Sequence, residues 1–221
     1  MNTEELEGRV RSLDDRLRTI EDTQEIEDLQ LMYGYYLEYG MWDEVVDLFS
    51  DNTESMELGT SGVYLGKAGV ERLCRLMKEN RVPKEAIPRE ELREMITPRI
   101  AFMVLTIKQP VIDLDAGGTT ACGRWGILEI LVRPVGRTWT EYWGHGMYEN
   151  EFVKEDGRWR FKKLRFYLTF HAPYEGGWLA TPNPYYAVHP TVKPDRPTTG
   201  YHPYPEVCTV PFHYKHPLTG K

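Results

Sequence analysis

Apolar residues recur at helical spacing over the first forty residues of the chain. The earliest of them are four and three residues apart, with charged residues in the gaps, and they are Leu6, Val10, Leu13, Leu17 and Ile20. This is the spacing of a coiled-coil seam, extending over little more than two heptads. The phase then breaks and resumes at Ile26, Leu29 and Tyr33. We expect a helix whose first part contacts another subunit and whose second part packs on the core; for the first part, an amphipathic helix lying on its own domain is the alternative.

Two shorter helices are predicted before the pattern changes. Gly40 interrupts the first helix, residues 42–49 resume a helical pattern, and residues 66–79 place apolar side chains on one face of a third helix. The polar, glycine-rich stretch between the last two indicates turns around one or two short strands.

The second half of the chain alternates in the manner of strands. Strand-like runs begin at residue 96, and the last two, residues 139–153 and 159–170, flank Asp156-Gly157. Asp-Gly between alternating runs is a strong hairpin signal. Three helices followed by antiparallel strands predict an α+β domain.

The last strand carries polar residues at the same parity as Trp159, a side chain that we expect in the core. These residues are Lys163, Arg165, Tyr167, Thr169 and His171. Either this face is partly a polar pocket, or the pairing register shifts along the strand.

Proline and aromatic residues dominate the chain beyond His171. Ten of the fifteen prolines lie between Pro173 and Pro217, interleaved with aromatic residues. Proline prevents this segment from extending a sheet, whereas so many rings are untypical of a disordered tail. We expect residues 172–221 to form an extended arm, held down by its rings over its own pocket or a neighbour's; a flexible tail is the alternative. Residues 1–25 then form a helical extension and residues 26–171 one domain.

Composition excludes several classes of partner. The chain has 221 residues and a formal net charge of -7, which disfavours nucleic-acid binding. Its first residues lack the apolar core of a signal peptide, and no run approaches the roughly 20 apolar residues of a membrane span. We therefore expect a cytoplasmic protein that does not bind membranes. Its three cysteines are odd in number and widely spaced, so neither disulfides nor a metal site is indicated.

Two sets of residues stand at corresponding ends of the predicted domain. The helical stretch has Ile26, Leu29, Tyr33, Glu38 and Trp42-Asp43, and the hairpin has Gly-x-Tyr-x-Asn from Gly146 and Asp-Gly-x-Trp from Asp156. Together they resemble the SnoaL-like branch of the nuclear transport factor 2-like superfamily, over residues 26 to about 171. The resemblance implies a curved antiparallel sheet wrapped around the N-terminal helices, with a cone-shaped pocket between them.

Further segments narrow this resemblance. Residues 110–125, 146–167, 172–178 and 211–220 resemble a bacterial subgroup that includes the lignin diarylpropane and phenylcoumaran γ-formaldehyde lyases. That resemblance implies a small aromatic substrate and catalysis without a metal or organic cofactor. Glu38 stands where the superfamily usually has aspartate. The early-strand histidine of dehydratase relatives is absent, and Arg99 is the nearest candidate for its position.

Acid–base chemistry in such a pocket requires titratable groups in a low-dielectric cavity. The candidate catalytic residues are Tyr33, Glu38, His145 and His171. The histidines would carry protons, Glu38 would act as a base, and tyrosines would serve as acids or oxyanion donors. His145 lies between two glycines, which often mark a bulge that re-aims a side chain; a hydrogen-bonded structural histidine is the alternative.

Other residues would line the pocket around these groups. The candidates for substrate binding are Tyr36, Arg99, Arg124, Tyr148, Asn150 and Tyr167. Tyr36 shares a side of the helix with Tyr33, and Tyr148 and Asn150 share a strand face. Arg124 would supply a cation for a phenolate or alkoxide; the alternative is an ion pair with Glu129, Glu141 or Glu149.

Three hypotheses about function follow. The leading one, which rests on the resemblance, is a cofactor-independent lyase that removes water and formaldehyde from a phenolic diarylpropane to give a stilbene. The second is a dehydratase or isomerase of a small cyclic hydroxy-ketone, and the third is a ligand-binding protein without activity. The seam and the arm favour a homo-oligomer, a dimer or trimer, over a monomer.

Overall fold

The computed structural model describes residues 2–59, 61–79, 102–135, 138–180, 192–199, 204–206 and 210–220. Arg99 and Cys208 lie outside the described residues, as does the start of the predicted strand at residue 96.

One long helix leads the chain, and two shorter ones follow it. Helix α1 (Thr3–Tyr39) begins at Asn2, whose side chain accepts a hydrogen bond from the Glu5 amide. It ends at Gly40, where φ is 69°, a left-handed conformation that glycine adopts without steric cost. Helices α2 (Trp42–Asp47) and α3 (Gly66–Glu79) follow. All three predicted helices are confirmed.

Among the described residues, seven strands form one curved, unclosed sheet. They are β1 (Ser55–Leu58), β2 (Val63–Leu65), β3 (Phe102–Ile107), β4 (Val111–Leu114), β5 (Thr120–Val135), β6 (Thr138–Glu155) and β7 (Arg158–Pro173). Their order is β2-β1-β7-β6-β5-β3, and β4 pairs with the early part of β5. Only β1 and β7 run parallel among the described pairs. The predicted α+β class and the long final hairpin are confirmed; a short helix, α4 (Gly177–Ala180), follows β7.

The second part of α1 packs on one face of the sheet, which we call the concave face; the opposite face is the convex face. Ile26, Leu29 and Tyr33 of α1 are buried, so the predicted change of helix face after Ile20 is confirmed. At the centre of the core, Phe161 of β7 contacts the rings of Tyr33, Phe49 and Phe152 at centroid distances of 5.5, 5.2 and 5.1 Å. These contacts fix α1 against the hairpin.

Asp22 links α1 to the tip of the hairpin. Its buried carboxylate accepts a hydrogen bond from Trp159 Nε1 at 2.9 Å and pairs with the Lys154 ammonium. Trp159 itself is buried, as its size led us to expect.

Replacing Asp22 with alanine should lower the free energy of unfolding by about 1–3 kcal/mol, because the buried indole N–H of Trp159 loses its acceptor. Urea unfolding followed by circular dichroism measures the change. Asp28→Ala is the matched control, since Asp28 lies on the same helix but is exposed and accepts its hydrogen bond from the exposed Gln24 Nε2. Equal losses in both variants would contradict the role given to Asp22.

Candidate active site

Two β-bulges decide which side chains of the final hairpin face α1. The pairing register of β6 and β7 shifts between Glu151 and Phe152 and again between His145 and Gly146. Each shift reverses the faces of the residues beyond it. The concave face of β7 therefore reads Trp159, Phe161, Leu164, Phe166, Leu168 and His171, all of them buried. Of the two explanations for polar residues at the same parity as Trp159, the shift in pairing register is therefore correct and the partly polar face is not.

One row of register partners crosses the sheet at the second bulge. Leu105 on β3 is opposite Glu129 on β5, Glu129 is opposite Gly144 on β6, and Gly144 is opposite His171 on β7. Glu129 and His171 reach toward each other across the glycine, with 3.6 Å between Glu129 Oε1 and His171 Nε2. Their side chains are 3% and 0% exposed. We call this buried pair the Glu129–His171 dyad.

Gly144 makes the dyad sterically feasible. A Cβ atom at position 144 would lie 2.2 Å from Glu129 Oε1 and 2.5 Å from its Cγ, well inside van der Waals contact. The space that any other residue would fill is occupied by the Glu129 side chain. Across the dyad, the Tyr142 ring stacks on the His171 imidazole at 5.0 Å and 18°.

Glu38 lies at the β3 end of the same row. Its Oε1 accepts the backbone N–H of Leu105 at 2.6 Å, and Leu105 is the register partner of Glu129. The last turn of α1 thus brings a second carboxylate to the row that holds the dyad.

Tyr33 and Tyr148 lie in the core between α1 and the sheet, on the same face as the dyad, with Tyr148 four residues along β6 from Gly144. Both are buried, and their rings meet edge to face at 5.9 Å. Burial raises the pKa of Tyr148 well above its ordinary value, and the charge of Glu129 raises it further, while a hydrogen bond with Tyr33 acts in the opposite direction. Tyr148 therefore stays protonated at neutral pH and can act as a hydrogen-bond donor.

His145 lies on the convex face, away from Tyr33. Its Nδ1 is 3.1 Å from Thr169 Oγ1, and its Nε2 is 3.3 Å from Lys108 Nζ. Burial lowers the pKa of His145, and the positive charge of Lys108 lowers it further, so the imidazole is neutral at pH 7. The structure brings three of the four predicted catalytic residues, Tyr33, Glu38 and His171, to one region and separates His145 from them.

Replacing His145 with glutamine should change kcat/KM by less than about threefold, because the side chain does not face the dyad. Substitution of an exposed or half-exposed polar side chain also has little effect on the stability of the fold. Steady-state kinetics with the substrate proposed below measures this. A loss of two orders of magnitude would show that the convex face takes part in the reaction.

Arg124 also lies on the convex face, where it holds the C-terminal segment. Its Nε donates to Glu149 Oε2 at 2.5 Å, and its Nη2 donates to the carbonyls of Val210 and Pro211 at 2.9 and 2.6 Å. The Phe212 ring stacks 4.1 Å from the guanidinium. The ion pair with Glu149, one of the alternatives considered for Arg124, is present, and Arg124 lies on the opposite face of β5 from Glu129.

Two of the remaining predicted binding residues make structural hydrogen bonds. Asn150, on the concave face, donates from Nδ2 to Gln30 Oε1 at 2.8 Å and accepts the Arg165 amide at 3.0 Å, which ties α1 to the hairpin. Tyr167 is on the convex face, and its hydroxyl accepts from Arg165 Nη1 at 2.8 Å. Tyr36 is half-buried against the core beside Tyr33. Arg99 lies outside the described residues.

The described parts of the C-terminal arm lie against their own chain. Residues 192–196 run along the edge of β2, where Arg196 bridges to Val63 and Asp195 pairs with Arg72 of α3. The later parts reach the convex face. Thr198 and Thr199 bind the buried Glu57 carboxylate of β1, and the Tyr204 amide donates to the Thr169 carbonyl of β7 at 2.8 Å. Residues 210–213 then reach Arg124 and Glu149, where His213 Nδ1 contacts Glu149 Oε1. Buried carboxylates and one arginine, more than aromatic rings alone, hold these parts of the arm.

Sequence reasoning did not single out Glu129 or Tyr142 for the site. A signal for Glu129 existed, since it is the one charged residue in the apolar run from Ile127 to Val132. A carboxylate in such a run must be either exposed at an edge or buried with a partner.

Within the described ranges, no three histidine, cysteine or acidic side chains are grouped so that they could hold a metal ion. Among the described helices, none is both long and apolar enough to cross a membrane.

Comparison with known proteins identifies relatives of this architecture. The family model of the SnoaL-like domain matches residues 18–165. None of the curated proteins searched matches the chain.

Solved structures share the fold at low identity. A provisionally named scytalone dehydratase of Novosphingobium aromaticivorans DSM 12444 is 18% identical, with a TM-score of 0.54 over 71% of this chain and 90% of that one. A hexachlorocyclohexane dehydrochlorinase, LinA type 2, is 14% identical, with a TM-score of 0.57 over 72% and 92%. The LinA type 3 enzyme of Novosphingobium barchaimii LL02 is also 14% identical, with a TM-score of 0.56 over 73% and 95%.

Proposed function

Because the chain belongs to the SnoaL-like domain family, we propose that it is a cofactor-independent carbon–carbon lyase, which removes water and formaldehyde from a lignin-derived phenolic diarylpropane to give a stilbene. The observation that carries the proposal is the Glu129–His171 dyad. A buried imidazole beside a buried carboxylate is suited to proton transfer, since the carboxylate orients the ring and stabilises its protonated form. The pair lies on the concave face of the sheet, against which the helix that carries Tyr33 and Glu38 packs.

The first step of the proposed reaction is loss of the benzylic hydroxyl. The protonated imidazole of His171 gives its proton to this hydroxyl, which leaves as water. The electron pair of the phenolic oxygen moves into the ring as its proton departs, and a quinone methide forms. Glu38, at the opposite end of the row, is the candidate base for that proton.

The second step breaks the carbon–carbon bond. The imidazole, now neutral, takes the proton of the terminal hydroxymethyl group. The O–H electrons form the C=O bond of formaldehyde, and the electrons of the breaking bond form the alkene and restore the aromatic ring as a phenolate. Water, formaldehyde and stilbene together contain all the atoms of the substrate, so the reaction needs no oxidant or reductant.

The aromatic surroundings of the dyad support an aromatic substrate. Tyr33, Tyr142, Tyr148 and Phe166 place their rings around this part of the concave face. Aromatic side chains with a few polar groups are the usual lining of a site for a small ring-containing ligand. The protonated Tyr148 would donate a hydrogen bond to the phenolate oxygen as charge develops there.

The test is incubation of the purified protein with a phenolic diarylpropane-1,3-diol. We expect formaldehyde and stilbene in equal amounts, measured by a colorimetric formaldehyde assay and by ultraviolet absorbance. An analogue with methyl in place of hydroxymethyl should lose water without releasing formaldehyde. Absence of both products from the diol would contradict the lyase proposal.

A dehydratase is the second candidate, and the same dyad favours it, because one proton shuttle beside a carboxylate suffices to eliminate water. The likeness in fold to the provisionally named scytalone dehydratase and to the dehydrochlorinases is consistent with elimination chemistry. Turnover of a cyclic hydroxy-ketone without cleavage of the diol would select this candidate. Saturable binding of either compound without turnover would select a ligand-binding protein.

A further inference from the structure

The apolar seam at the start of α1, from Leu6 to Ile20, is exposed to solvent, and no other described part of the chain packs on it. Leu6 and Val10 are each 49% exposed, Leu17 is 53%, Leu13 is 60% and Ile20 is 66%. Every described residue from Asn2 to Glu21 is exposed, so this part of α1 projects about 28 Å from the domain at 1.5 Å per residue. In proteins most of the stability of a helix comes from tertiary packing of its apolar face, and this part of α1 has no such packing within the described chain. The alternative of an amphipathic helix lying on its own domain does not hold.

The seam and the core-facing residues lie on opposite sides of α1. At 3.6 residues per turn, the seam from Leu6 to Ile20 is centred about 180° around the helix from Ile26, Leu29 and Tyr33. The domain to which the second part of α1 is bound therefore cannot cover the seam without a break in the helix, and α1 is continuous. Another chain can reach the seam freely.

The charges that flank the seam are segregated by sign. With Val10 and Leu17 at heptad position a, and Leu6, Leu13 and Ile20 at position d, the e positions hold Glu7, Asp14 and Glu21, while the g positions hold Arg9 and Arg16. In a parallel pair, each g residue faces the e residue of the following heptad in the partner. This brings Arg9 to Asp14 and Arg16 to Glu21 of the second copy. An antiparallel pair would instead bring arginine to arginine and acid to acid.

We propose that the occupant of the seam is the same seam of a second copy of this chain, in a parallel, in-register coiled coil. The proposal is independent of the reaction proposed above. Leucine at two of the three d positions and valine at one a position are compatible with two strands. The arrangement places the two catalytic domains at the same end of the coil.

Sedimentation velocity of the full chain over a range of concentrations tests the surface. Leu13→Glu should weaken self-association by about tenfold or more, because it places a charge in the seam in place of a leucine that the coil would bury. The matched control is Ser12→Glu, which introduces the same side chain one residue away at an outward position. A monomer at every concentration, or equal effects of the two variants, would overturn the proposal.

Oxidative cross-linking tests the direction. A parallel coil brings residue 6 of the two copies together, so Leu6→Cys should give a disulfide-linked dimer, whereas Arg11→Cys, on the outer side of the helix, should not. An antiparallel coil would separate the two copies of residue 6 by about 20 Å. The unmodified chain shows any background from its own cysteines. No cross-link through position 6, or an equal yield at position 11, would overturn the parallel arrangement.

Discussion

Replacing His171 with glutamine is expected to lower kcat/KM for the diarylpropane-1,3-diol by about 100- to 10,000-fold, the usual contribution of a positioned general acid or base. Glutamine has a similar size and keeps an N–H donor beside Glu129, but it cannot carry a proton between donor and acceptor. Because His171 has a side chain that is 0% exposed, the similar volume of glutamine also limits the packing defect. Initial rates of stilbene formation measure the effect.

The matched control is His145→Gln, the same substitution on the same hairpin but on the convex face. Thermal unfolding by circular dichroism should place both variants close to the parent protein. A His171→Gln variant that is folded and retains more than about a third of the parent kcat/KM would exclude His171 as the proton carrier. Equal losses in the two histidine variants would point to a general effect on the hairpin instead.

The glycines around His145 show what sequence reasoning could and could not recover. Gly144 and Gly146 correctly indicated a bulge, which lies between His145 and Gly146. Sequence alone favours glycines that re-aim His145, whereas in the structure positions 144 and 146 themselves face the concave side. A Cβ at position 144 would meet Glu129, and one at position 146 would lie 2.3 Å from the Phe166 ring. The absence of side chains at positions 144 and 146 makes room for residues on the neighbouring strands. This role can be inferred only when the pairing of the strands is known.

The faces of the last strand were beyond sequence reasoning for a related reason. Helix periodicity predicted α1 and its change of face, because both depend on local spacing alone. Strand parity fails at a bulge, since one extra residue reverses every side chain beyond it. Lys163 and His171 share a parity in sequence. Beyond the first bulge Lys163 lies on the convex face, paired with Glu151, and the second bulge returns His171 to the concave face. The register that joins His171 to Glu129 also passes through three strands, and no local pattern encodes it.

Replacing Gly144 with alanine is expected to lower kcat/KM by about 100-fold, although position 144 carries no chemistry of its own. Gly144 is not among the glycines with positive φ, so the backbone accepts alanine. The added Cβ would lie 2.2 Å from Glu129 Oε1, which forces the carboxylate away from His171. Misplacement of a catalytic group by about 1 Å can cost two orders of magnitude in rate. The control is Gly126→Ala on β5, where the three atoms nearest to the new Cβ all belong to the flexible Lys108 side chain, the first of them Cδ at 2.9 Å.

A second background separates loss of the dyad from a general defect of the strand. Glu129→Ala should itself lower kcat/KM, by about 10- to 100-fold, because it removes the group that orients the imidazole. In that background Gly144→Ala should cost little more, since the side chain with which the new Cβ collides is gone and the two changes act on the same pair. Kinetic measurements on the parent protein, the two single variants and the double variant decide the question, because together they form a double-mutant cycle. If Gly144→Ala lowers the rate by the same factor in both backgrounds, its effect does not pass through Glu129, and the dyad does not explain the glycine.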